Sequence, residues 1–155
     1  MESMQIADLI TEIAQKISAP SDLLPTFGYN KDFAYPEIRV DDEGYHYIVI
    51  ERGEEFEHFV TRDIKELLYI VFQQVTSSMA FDYEVKNRIE YQDFRRIAFE
   101  KQIELLLTID TEFATKRKTE IKAILKDHPF DDLALGIPRL YAKIKNLLRQ
   151  WMKWP

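Results

Sequence analysis

The stretch from Asp63 to Asp82, DIKELLYIVFQQVTSSMAFD, constrains the fold of this chain more than any other. Asp63 and Glu66 have the spacing of a helix N-cap and its third residue, where carboxylates meet free backbone amides. Apolar residues then recur on one face of a 3.6-residue period: Leu67, Leu68, Val71, Phe72, Val75 and Met79. Tyr69 and Ile70 are apolar beside that face, so this central core helix is predicted to be buried on more than one side.

Strands are predicted before the core helix. Residues 4–17 carry a helical apolar stripe, and residues 19–36, with three prolines and one glycine, are predicted to form an irregular connection whose aromatic side chains pack down. Alternation and β-branched content predict three antiparallel strands: residues 37–41, 45–51 and 55–60. On the third strand, Glu55, Glu57 and Phe59 are expected to share one face, because successive strand residues alternate.

Helical periodicity returns in three segments after the core helix: residues 93–109, 112–126 and 138–152. The most apolar face of the first segment is predicted to contain Phe99, Ile103, Leu106 and Leu107. No repeat or linker divides the sequence, so residues 1–155 are predicted to form a single α+β domain. Its expected order is an N-terminal helix, a three-stranded antiparallel meander, and a bundle of about four helices around the central core helix.

The composition excludes several classes of site. The chain has no cysteine, which rules out disulfides, thiol catalysis and cysteine metal ligands. Only four glycines disfavour a glycine-rich phosphate loop. No apolar run is long enough to span a bilayer, and the N-terminus lacks the pattern of a signal peptide. A soluble protein of the cytoplasm is therefore expected.

Charge is distributed unevenly along the chain. Residues 1–66 carry 15 acidic and 6 basic side chains, a net charge of −9. Residues 67–155 carry 12 acidic and 15 basic side chains, a net charge of +3. An acidic first half disfavours nucleic acid, whose phosphates need Lys and Arg, and suits a basic protein partner. The simpler interpretation, that these acids only keep the surface soluble, remains open at this point.

The histidines offer an enzymatic alternative. His46 and His58 lie on neighbouring predicted strands and could face each other, and with nearby carboxylates they would suit a small metal-dependent or hydrolytic enzyme. However, no HxxH or HExxH spacing and no G-x-S-x-G elbow is present. Histidines that are exposed, or hydrogen-bonded within the sheet, are the favoured interpretation.

Two polar segments leave further alternatives. Residues 133–155 contain five Lys or Arg and no acid, so the last helix could serve an adaptor module, although packing of its apolar stripe on the domain is favoured. Residues 87–96 (NRIEYQDFRR) are dense in charged groups. They are interpreted as an ion-pair network that ties the next helix to the core helix or the sheet, with an anion site as the alternative.

A family resemblance runs from Tyr45 to Leu107. The run YHYIVIERGEEFEHFVTRDIKELLYIVFQQVTSSMA, followed by NRIEYQDFRRIAFEKQIELL, resembles the immunity protein 63 family of bacterial polymorphic toxin systems. Its most specific pieces are Glu51-Arg52-Gly53, Glu66-Leu67-Leu68-Tyr69, Gln92-Asp93-Phe94-Arg95-Arg96 and Phe99-Glu100-Lys101-Gln102. None of these pieces is a catalytic signature, so the resemblance rests on their order and spacing.

The resemblance implies a small bacterial protein that binds a cognate toxin domain and neutralises it by occlusion, without catalysis and without a cofactor or metal. Neither nucleic acid nor membrane is expected as a partner. Because many toxins have basic clefts, the binding surface is expected on the acidic turns and third strand of the meander. Its candidate residues are Asp41, Asp42, Glu43, Glu54, Glu55 and Glu57.

Overall fold

An N-terminal helix, a four-stranded sheet and three further helices follow one another along residues 3–132, the part of the chain that this computed structural model describes. The elements are α1 (Ser3–Lys16), β1 (Thr26–Phe27), β2 (Tyr35–Val40), β3 (Tyr45–Glu51), β4 (Glu54–Thr61), α2 (Ile64–Lys86), α3 (Arg95–Ile109) and α4 (Thr111–Asp127), with a 3₁₀ turn at Ser21–Leu23. The predicted α+β class and element order are confirmed. The helix predicted at residues 138–152 lies outside the described residues.

The sheet differs from the predicted meander by one strand. β2, β3 and β4 form the expected antiparallel meander, but β1 adds a parallel strand beside β2, so the sheet is mixed and its order is β1-β2-β3-β4. β1 lies in the segment predicted to be irregular. Because it is only two residues long, it carries no alternation that a sequence pattern could show.

A β-bulge on β4 changes which side chains share a face. Val49 pairs with Glu57, whereas the next residue, Ile50, pairs with Glu55, so Phe56 is an extra residue without a partner on β3. One inserted residue reverses the alternation beyond it. The expectation that Glu55 and Glu57 share a face is therefore wrong.

The hydrophobic core lies between one face of the sheet and the helices. Its largest fully buried apolar side chains come from α1, β2, α2 and α3: Ile6, Ile10, Ile38, Leu67, Phe72 and Leu106. Tyr69, on the flank of α2, packs edge-on against Phe113 of α4 with ring centroids 5.5 Å apart. This confirms that α2 is buried on more than one side.

The predicted N-cap of α2 is confirmed, because the Asp63 carboxylate accepts a hydrogen bond from the Lys65 amide at 2.8 Å. Glu66 does not reach back to a helix amide. Its carboxylate instead accepts from the Thr61 hydroxyl at 2.7 Å, and that hydroxyl accepts from the Asp63 amide at 3.1 Å. The end of β4 and the start of α2 are thus linked by side chains as well as by the chain.

The buried face of α3 overlaps the predicted one only in part: Leu106 is fully buried and Ile103 packs against the core, as predicted. Leu107 is 47 % exposed, whereas Gln102 is buried beside Ala98, Leu105 and Leu106. The Gln102 side-chain amide donates to the Gln73 carbonyl of α2 at 2.9 Å, and its oxygen accepts from Arg117 Nε of α4 at 2.9 Å. A pattern of apolar residues cannot predict this rotation, because the residue at the centre of the buried face is polar.

The polar connection between α2 and α3 packs on the chain that leaves α4. Arg95 forms a salt bridge with Asp93 at 2.6 Å and donates to the carbonyls of His128 and Pro129. Arg96 pairs with Asp132 at 3.2 Å. The predicted ion-pair network in this segment is confirmed. Arg88 pairs with Glu84 of the core helix at 2.8 Å, whereas Arg95 and Arg96 of α3 bind residues that follow α4.

Candidate functional site

The two faces of the sheet carry different kinds of residue. The helices cover the face that carries Ile38, Tyr47 and Val49 in the core. Since side chains alternate along a strand, Glu37, His46, Ile48 and their cross-strand partners point to the other side. We call this side the outer face, and it carries the polar groups described below.

Four side chains form a continuous chain of hydrogen bonds across the outer face. Asp41, at the end of β2, is 2.8 Å from His46 Nε2, and His46 Nδ1 is 2.9 Å from His58 Nε2. His58 Nδ1 is in turn 3.0 Å from Glu55. The two imidazole rings lie 5.2 Å apart between centroids, so the two histidines, which the strand order allowed to face each other, are in contact. Together these four residues, which we call the histidine chain, connect the two turns of the meander.

Asp41 also shapes the turn between β2 and β3. Its carboxylate accepts hydrogen bonds from the amides of Glu43 at 2.8 Å and Gly44 at 3.3 Å, in addition to His46. The hydrogen bond from His46 is the main cause that lowers the pKa of Asp41, and these amides lower it further. Arg62 donates to the carbonyls of Glu43 and Asp42, which holds the turn against the end of β4.

The turn between β3 and β4 presents an acidic hollow. Arg52 and Gly53 both have positive φ, 55° and 79°, as a type I′ hairpin turn requires. An open concavity of about 370 Å³ lies beside this turn. It is lined by Glu51, Arg52, Glu54, Glu55 and Phe56. The Phe56 ring is 72 % exposed at the bulge.

All six predicted binding residues are exposed, but they do not form a single patch. The acids from 41 to 43 lie at one end of β3, and Glu54 and Glu55 lie near its other end. The histidine chain joins Asp41 to Glu55. Glu57 faces the helix side near Tyr47, where burial, and then the charge of Glu57, raise the pKa of the Tyr47 hydroxyl.

Several outer-face residues were missed by the sequence prediction. Glu37 is fully buried, and Arg39 binds it with two hydrogen bonds of 2.6 and 2.9 Å. Their i, i+2 spacing on a strand places them on one face and was the available signal. Phe56 and Val60, 72 % and 41 % exposed, were also missed. Apolar residues on a strand usually indicate a core face, and here they do not.

The described residues contain no group of three or more His, Asp or Glu side chains that could hold a metal ion. Both nitrogens of His46 and both of His58 already take part in hydrogen bonds in this arrangement. From residue 3 to residue 132, none of the helices is long and apolar enough to cross a membrane.

Comparison with known proteins gives one match. The family model described as immunity protein 63 matches residues 41–123, which is more than half of the chain and includes β3, β4, α2 and α3 in full. No curated protein and no solved structure matches the chain. The matched region contains the histidine chain, the acidic hollow, and Gln102 with its hydrogen bonds to α2 and α4. The chain therefore belongs to the immunity protein 63 family, which implies an immunity protein whose partner is a toxin.

Proposed function

We propose that this protein binds a cognate toxin domain and neutralises it by occlusion, without catalysis and without a cofactor. Family membership supports the toxin as partner. The proposed interface spans the two turns of the meander and the edge strand β4, with these acids: Asp41, Asp42, Glu43, Glu54, Glu55 and Glu57. Binding is proposed to take place in the bacterial cytoplasm, with neither nucleic acid nor membrane involved.

The observation that best supports the proposed interface is an exposed aromatic ring beside exposed acids. Interface energy is concentrated in a few aromatic or Arg side chains, and surrounding charges mainly govern encounter and specificity. Phe56 supplies such a ring next to the acidic hollow, and Val60, four residues further along β4, is a second exposed apolar side chain. A partner with Lys or Arg around an apolar pocket is complementary to this surface.

β4 contacts the partner through its side chains rather than by pairing with an added strand. It is an edge strand of eight residues, which is a ready template for strand addition. However, its first four residues include Glu54, Glu55 and Glu57, and the bulge interrupts the regular spacing of its backbone. Charges and bulges on an edge strand both oppose strand addition.

The interface is tested by charge reversal that leaves the fold intact. Asp42, Glu54 and Glu57 are exposed, and their side chains make no hydrogen bond or ion pair within residues 3–132. The triple variant Asp42→Lys, Glu54→Lys, Glu57→Lys should associate with the cognate toxin domain about tenfold more slowly at low salt. The difference should shrink as ionic strength rises, because exposed charges are screened.

A matched control changes net charge equally elsewhere. Asp8 and Glu12 of α1 and Glu100 of α3 are also exposed and unpaired within the described residues. Their triple reversal to Lys should leave the association rate within about twofold of wild type, because these acids lie on α1 and α3 and not on the turns of the meander or on β4. Equal slowing by both variants would show that net charge, and not this surface, governs binding.

Occlusion is separated from catalysis by titration. Increasing amounts of the protein are incubated with a fixed amount of toxin domain, and residual toxin activity is measured. Occlusion predicts a linear decrease that reaches zero at a fixed stoichiometric ratio and does not change with longer incubation. Progressive loss of toxin activity at substoichiometric amounts would instead identify an enzyme that turns over.

A further inference from the structure

Exposed apolar side chains are concentrated where α2 meets α3. Five of the twelve large apolar residues that are exposed in residues 3–132 lie between positions 81 and 94. Phe81 and Val85, 40 % and 65 % exposed, are one turn apart on the same side of α2. Phe94, 41 % exposed, packs against Phe81 with ring centroids 6.0 Å apart. We call Phe81, Val85 and Phe94 the α2 patch.

The described chain ends beside this patch. The backbone amide of Asp93 donates to the Asp132 carboxylate at 2.8 Å, and Arg96 pairs with the same carboxylate. Asp132 is thus held by the residue immediately before Phe94 and by the second residue after it. The 23 residues that follow, 133–155, start next to the patch.

The terminal segment has an apolar stripe and a basic charge, and both are complementary to the exposed patch and to the acidic remainder of the chain. Residues 138–152 are predicted to form a helix with one apolar stripe: Leu140, Ile144, Leu147, Leu148 and Trp151. An amphipathic helix of this kind has to bury its stripe. The segment 133–155 carries five basic residues and no acid, whereas residues 1–132 carry 27 acidic and 16 basic residues, a net charge of −11. Attraction to the body of the domain is therefore favourable.

Distance also permits docking within one chain. The five residues between Asp132 and Pro138 allow a span of up to about 20 Å when extended. A 15-residue helix is about 22 Å long, enough to cover one side of α2 from Val85 to Phe81. A short connection gives an effective concentration in the millimolar range, which favours docking in cis over docking on a second copy.

We propose that residues 138–152 dock as a helix with their apolar stripe on the α2 patch of the same chain. The docked helix buries Phe81, Val85 and Phe94, and its basic side chains lie near Asp82 and Glu90 at the edges of the patch. It thereby adds a further helix to the bundle on the side of α2 that α3 and α4 leave open. This arrangement is independent of where the toxin binds.

The absence of cysteine makes disulfide trapping a direct test on the full-length chain. Val85→Cys is combined with Ile144→Cys, and separately with Leu148→Cys one helical turn further on. Val85 is 65 % exposed, so its replacement leaves the core unchanged. After mild oxidation, intact mass and peptide mapping should show an intramolecular disulfide in at least one pair.

The control pairs Ile144→Cys or Leu148→Cys with Lys118→Cys, an exposed position on α4. The proposal expects bridging to Val85→Cys at least tenfold faster than to Lys118→Cys. Disulfides that join two chains would show that a second copy occupies the patch, which would overturn docking in cis. Equal bridging at both positions, or none, would overturn it as well.

Discussion

Replacing Asp93 by Asn should destabilise the protein chiefly above pH 4. The Asp93 carboxylate is buried and accepts hydrogen bonds from the Arg95 side chain at 2.6 and 3.0 Å, from the Arg95 amide at 2.9 Å and from the Asp131 amide at 2.8 Å. Its salt bridge with Arg95 is the main cause that lowers the pKa of Asp93 from 3.8 to about 2. This shift corresponds to about 2 kcal/mol of folding free energy.

The sign of the pH dependence follows from the depressed pKa. Above pH 4, Asp93 is ionised in both the folded and the unfolded state, and the full stabilisation is present. As the pH falls from about 4 to about 2, the unfolded carboxyl binds a proton before the folded one, and this contribution is lost. Urea unfolding at pH 7, 5, 3 and 2 should therefore show the stability gap between wild type and Asp93→Asn narrowing towards acid.

Asp132→Asn provides the control at the same junction. Asp132 also pairs with an arginine, but its side chain is 40 % exposed, so this substitution should cost less than about 1 kcal/mol. Equal destabilisation of Asp93→Asn and Asp132→Asn at pH 7 would refute this role of Asp93. A stability gap between Asp93→Asn and wild type that is the same at pH 3 as at pH 7 would refute it as well.

Three further substitutions test the two turns of the meander and the hydrogen bonds of Gln102 by urea unfolding. Gly44→Ala should lose about 2 kcal/mol or more, because φ is 142° and a Cβ would collide with the Thr61 carbonyl oxygen. Gly53→Ala, at φ 79° with open space around it, should lose only about 1 kcal/mol, and equal losses would contradict this account. Gln102→Leu should cost about 2–3 kcal/mol, because it leaves buried Arg117 Nε without its acceptor, and a loss below about 0.5 kcal/mol would contradict that role.

Local signals predicted most of the fold. The Asp63 cap and the 3.6-residue period were enough to identify α2, and the density of β-branched and aromatic residues identified β3 with its observed bounds. The errors arose where contacts between elements distant in sequence determine which residues are buried or paired. Gln102 reaches partners on α2 and α4, so it turns a polar side of α3 inward. β1 forms because it pairs with β2, and its two residues have no preference that a pattern can show.

The candidate site was predicted in composition but not in geometry. The sequence predicted acidic residues at both turns of the meander. It also showed that His46 and His58, on neighbouring strands, could face each other. The bulge at Phe56 was not predictable, because nothing in EEFEHF distinguishes a regular strand from one with an inserted residue. That one residue brings Glu55 to His58 and sends Glu57 to the opposite side.

The histidine chain divides the six predicted acids into two kinds. Asp41 and Glu55 each form a hydrogen bond with an imidazole, and Asp41 also accepts from the amides of Glu43 and Gly44, so these two acids help to hold the turns in place. The other four acids lie outside this row of hydrogen bonds and are exposed, so a basic partner can approach their charges directly: Asp42, Glu43, Glu54 and Glu57. Substituting Asp41 or Glu55 would change the positions of the two turns. Substituting any of the other four acids would change the electrostatic potential around the surface. We therefore expect misplaced turns when Asp41 or Glu55 is substituted, and slower association with the partner when the other four acids are substituted.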